Sequence, residues 1–107
     1  MTASNAIDLP LACAPGAIPE NERAVHFDLL TRLFTNRLRE KTVLPDGYAY
    51  RFDADAFDDL ARWAANERRC CPFLRFTFEL TPANGPVWLR LTGPEGTSAF
   101  LDAELTR

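Results

Sequence analysis

At 107 residues the chain is the length of one small domain, 1–107, and with 47% apolar residues it can bury a core without disulfide staples. Its formal charge of −3 argues against nucleic acid as a partner, because a phosphate backbone calls for a basic surface. No long uninterrupted apolar run is present to cross a membrane, and the first residues lack a basic region and are broken by Asp8 and Pro10, so the expectation is a cytoplasmic protein with reduced thiols.

Residues 1–20 read as an N-terminal arm or as a short edge strand, with Pro10 confining any strand to an edge. Over 21–42, Phe27, Leu30, Leu33, Phe34 and Leu38 recur at three- and four-residue steps, which predicts a helix with one apolar stripe. Glu20 and Glu22 near its start and Arg37, Arg39 and Lys41 near its end suit the helix dipole. Pro45, Asp46 and Gly47 supply a turn, and Tyr48, Tyr50 and Phe52 then alternate with Ala49 and Arg51 as in a strand.

A second helix is expected over 53–70, capped by Asp53 or Asp55, with Asp58 and Asp59 in its first turn and Phe57, Leu60, Ala61 and Ala64 on its buried stripe. Pro72 ends it, so Cys70 lies on the last turn and Cys71 is the exit residue. Residues 74–92 form a hairpin. Leu74, Phe76, Phe78 and Leu80 share one face with Val87, Leu89 and Leu91; Arg75, Thr77, Glu79, Trp88 and Arg90 take the other. A closing helix spans 92–105, with Thr92 and Glu95 at capping-box spacing, Pro94 in the first turn, and Phe100, Leu101 and Leu105 docking it. The order (β)-α-β-α-β-β-α predicts an α+β two-layer sandwich, a small antiparallel sheet of three or four strands with helices on one face.

The chemistry concentrates in "ERRCCPF", residues 67–73, where two cysteines adjoin. Adjacent thiols do not readily close a disulfide on each other, because the small ring strains the peptide bond between them. With Cys13 as a third thiol, Cys70 and Cys71 would make an S₃ site, which favours Hg(II), Cu(I), As(III) or Pb(II) over hard ions. Zinc is less natural, since its structural sites use Cys-x₂₋₄-Cys pairs and four ligands. Glu67, four residues before Cys71, shares its helical face and could be a fourth ligand, a hydrogen-bond acceptor or a general base. Against these stand plainer readings: buried cysteines as small hydrophobes, Glu67 as a surface or capping carboxylate, and His26 as a surface residue.

Arg51, Arg75 and Arg90 share the open sheet face with Glu79 and Trp88, which reads as cross-strand pairing, an anion surface or a homodimer contact. No phosphate loop, nucleotide fingerprint or hydrolase motif is present, so no organic cofactor is inferred. The alternatives to metal binding are a thiol-dependent enzyme or redox protein, in which one cysteine attacks and its neighbour resolves, and a protein-interaction module with inert cysteines.

The stretches "LAC", "LPDGYAYRF", "LARWAANERRCCPFLRFTFEL" and "VWLRLTGPEG" together resemble a family of small uncharacterised bacterial proteins with an E-x-x-CCPF core. That family is often associated with MerR-type regulators and heavy-metal resistance. The resemblance implies a link to soft-metal stress and points to Cys13, Cys70 and Cys71, with Glu67 beside them.

Overall fold

The computed structural model describes residues 11–105. Helix α1, Arg23–Thr31, runs into a wider π turn at Arg32–Arg37. Strands β1, Glu40–Leu44, and β2, Gly47–Phe52, follow as a tight hairpin. Helix α2, Phe57–Cys70, crosses to the second hairpin, β3, Arg75–Leu80, and β4, Val87–Thr92, and helix α3, Thr97–Leu105, ends the described chain. The four strands form one antiparallel sheet in the order β1-β2-β4-β3, packed against the helices as an α+β fold.

Among the described residues the fourth strand is β1. Residues 11–20 hold no strand, only short 3₁₀ turns such as Pro15–Ala17, and the part of the proposed edge strand before residue 11 lies outside the described residues. The first helix therefore stops short of its predicted end. Leu38 is already extended, and residues 40–42 pair with 51–49. A two-residue loop at Pro45 and Asp46 closes this hairpin, and its backbone bonds outweigh the helical preference of Glu40 and Lys41. Gly47 is required here, because a Cβ would collide with the backbone carbonyl of Leu91.

Sheet register lines up the core rows as expected. Tyr50 faces Leu89, which faces Phe78; Tyr48, Leu91 and Phe76 form the next row. Leu80 departs from the pattern and is exposed at the end of the edge strand. In the β3–β4 loop, Ala83 and Asn84 both adopt left-handed backbone angles, as the turn demands.

The helix faces are rotated from the predicted stripes. In α1 the buried residues are His26 and Leu29, while Phe27 is exposed. In α2 Ala61 is exposed and Trp63 is fully buried, with ring centroids 4.9 Å from Phe34 and 6.0 Å from Phe76. Neither Asp53 nor Asp55 caps α2 through its side chain. They pair instead with Arg39 and Arg37, which ties the helix entrance to the segment before β1. Helix α3 starts at Thr97 rather than Thr92, because Gly96 takes a φ of +96° and Thr97 Oγ1 donates to the Pro94 carbonyl at 2.6 Å. The expected capping box therefore does not form, although Leu101 and Leu105 dock as expected.

On the open face, cross-strand ion pairs hold Arg51 to Glu40 at 3.0 Å and Arg90 to Glu79 at 3.2 Å. No helix among the described residues is long and apolar enough to cross a membrane.

Candidate functional site

The C-terminal turn of α2 and the N-terminal arm meet through one backbone bond. Ala14 N–H donates to the Cys70 carbonyl at 2.8 Å, which satisfies one of the carbonyls that a helix end leaves free. This contact carries Cys13 across 58 positions of sequence to Cys71. Cys71 has left the helix, as Pro72 requires, with φ −120° and ψ 77°. Its backbone N–H still closes onto Glu67 O at 2.7 Å, which fixes the sulfur over the last turn.

The Sγ atoms of Cys13, Cys70 and Cys71 all lie within 4.8 Å of one another. Cys70 and Cys71 are 2% and 0% exposed, whereas Cys13 is half-buried and gives the cluster its access to solvent. Cys13 and Cys71 are joined as a disulfide, with Cα atoms 4.7 Å apart, and Cys70 is the free thiol. The adjacent pair is not bridged, in keeping with the ring strain that opposes it. Burial pushes the Cys70 thiol up, the charge of Glu67 adds to this, and the hydrogen bond from Ala14 opposes it.

Glu67 is neither a surface residue nor a cap. It is 6% exposed and sits between two partners. His26 Nε2 lies 2.8 Å from its Oε1, and Cys71 Sγ lies 3.3 Å from its Oε2. As a thiol, Cys71 would donate to that oxygen; within the disulfide the carboxylate flanks the sulfur. His26, expected at the surface, is 1% exposed and stacks on Trp63 with an interplanar angle of 3°. Its place could have been read by shifting the α1 stripe one residue back, since 26, 29, 30 and 33 also keep helical spacing. Nothing in the local sequence signals the Ala14 bond.

The arrangement brings together all four residues singled out from the sequence, Cys13, Cys70, Cys71 and Glu67. With the Cys13–Cys71 link reduced, the three sulfurs would form a soft donor set. Glu67 stands beside it, its carboxylate in contact with both His26 and Cys71. No protein-family model, curated protein or solved structure matches the chain. The functional reading therefore rests on this geometry.

Proposed function

We propose that the protein binds a soft, thiophilic metal ion through Cys13, Cys70 and Cys71 in their reduced state and buffers it or hands it on. The observation that carries this reading is the convergence of three sulfurs within 4.8 Å from two ends of the fold. Thiolates at that spacing suit Hg(II), Cu(I), As(III) or Pb(II), whose chemistry accepts low coordination and sulfur ligands. Half-buried Cys13 would be the point where ligand exchange with an incoming thiol begins. The Cys13–Cys71 disulfide is then the oxidised form, which two electrons and two protons return to the binding-competent dithiol. The resemblance to the E-x-x-CCPF family points in the same direction.

The test is native mass spectrometry of the reduced protein titrated with each soft ion and with Zn(II) against a competing thiol. One retained soft ion per chain is expected, and it should be lost in any single Cys→Ser variant at 13, 70 or 71. Retention by the triple variant at wild-type strength would end the proposal.

The disulfide itself favours a second reading, thiol–disulfide exchange with a small-thiol substrate, in which Glu67 lies within reach of the Cys71 sulfur. Multiple turnovers of a disulfide substrate per protein molecule would select it over stoichiometric binding.

A further inference from the structure

Helix α2 and strand β3 part at the edge of the sandwich. β3 is the last strand of the sheet and pairs only with β4. The helix presents Ala61, Ala64 and Ala65 toward the core-facing side of this strand. Larger side chains there would close the two layers; three methyl groups leave a solvent-open groove of about 710 Å³. That volume falls in the range of roughly 300–1,000 Å³ that holds small organic ligands. Phe57 and Phe78 meet edge to face at one end, with centroids 5.5 Å apart, and Phe76 adds a further aromatic wall.

The other end, where α2 gives way to Pro72 and β3 begins, is lined by Arg68 and bordered by Arg75, which alternation assigns to the open face of β3 and which, as the first residue of this edge strand, stands at the rim of the groove. These arginines differ from most others in the molecule. Arg32, Arg37, Arg39, Arg51 and Arg90 are each held by a carboxylate. Arg23 donates to the Ile18 carbonyl and Arg69 to Asn66. Among the described residues, the side chains of Arg68 and Arg75 have no hydrogen bond or ion pair. Arg62 shares that property but does not line the groove.

From this charge pattern we infer that the groove binds a small amphipathic carboxylate, an acyl or aryl acid. Its apolar body lies along the alanine row and Phe76, and its carboxylate meets Arg68, with Arg75 reaching over the strand edge to close the pair. Guanidinium is suited to such a head group, because its fork of donors matches the two carboxylate oxygens. The inference does not depend on the cysteine chemistry.

The experiment is an amide NMR titration of the full-length protein with octanoate, run beside octanol and octylamine. Saturable shifts are expected at residues 61–68 and 74–78, with octanoate bound about tenfold or more tighter than octanol, the margin that charge-assisted hydrogen bonds supply. Arg68→Gln with Arg75→Gln should reduce octanoate to the level of octanol, and Arg62→Gln should leave it unchanged. Ala65→Leu should block all binding while circular dichroism keeps the wild-type melting profile. Equal binding of octanol, shifts elsewhere, no saturation, or equal weakening by Arg62→Gln would overturn the inference. So would sedimentation showing a dimer that Ala65→Leu dissociates, which would give the groove to a second copy of the chain.

Discussion

The Glu67 carboxylate is the residue on which the candidate site turns, because it is buried and, among the described residues, has only His26 and the Cys71 sulfur to replace water. Removing the histidine with His26→Leu leaves that carboxylate without its nitrogen donor. A loss of about 1–3 kcal/mol in urea unfolding is expected, the usual consequence of orphaning a buried polar group. Glu67→Gln, which keeps an oxygen to accept from His26, should cost less. A His26→Leu change within experimental error of wild type would show that the pair is not coupled to folding. At Cys70, burial and a raised pKa both oppose reaction. Iodoacetamide should leave the native oxidised protein unlabelled by mass and add one label in denaturant; rapid native labelling would contradict the buried placement. Cys70 and Cys71 were legible from the sequence because a proline dictates the helix exit. His26 was not, because two stripes one residue apart fit the same apolar run.

Among the elements, α2 carries the core through Trp63, which touches Phe34, Phe76 and His26 together. Trp63→Ala is expected to cost about 3–5 kcal/mol by chemical denaturation, the range for deleting a buried aromatic. Helix α3 is tied to the first hairpin by Asp102, which accepts from Lys41 at 2.9 Å and from Tyr48 at 3.0 Å. The hydrogen bond from Lys41, then that from Tyr48, holds the Asp102 carboxyl below the usual value. The stabilisation is thus present above the ordinary aspartate range, and it is lost as pH falls through the lowered folded value. Asp102→Asn should flatten the fall in melting temperature between about pH 5 and pH 2 relative to wild type. An identical slope would mean that the contact is fully screened at the surface. The β3–β4 hairpin was legible in detail because its alternation is strict. Strand β1 was hidden because Glu40 and Lys41 are good helix formers on an exposed edge, and only pairing with β2 decides their state.

Across the whole molecule, the Cys13–Cys71 link closes a loop of 58 positions. Loop-closure entropy assigns such a cross-link about 4 kcal/mol. Reduction should therefore lower the melting temperature measurably, and a soft ion that binds the reduced cluster should recover part of the loss, since a ligand of the native state stabilises it. A melting temperature indifferent to both reductant and ion would remove the link between this cluster and the fold.

By itself the sequence determined the α+β class, the second hairpin and the end of α2 at the cysteine pair, and it singled out the three cysteines as the candidate site. Each of these follows from local rules: side-chain period, the steric demand of proline and the softness of sulfur. The tertiary structure decided the rest. Strand β1, the burial of His26 and Glu67, the disulfide state of Cys13 and Cys71, and the groove beside α2 all depend on partners far apart in the chain. No local pattern sets the free energy of such contacts, because it comes from what the packed fold places next to each group and from the water it removes.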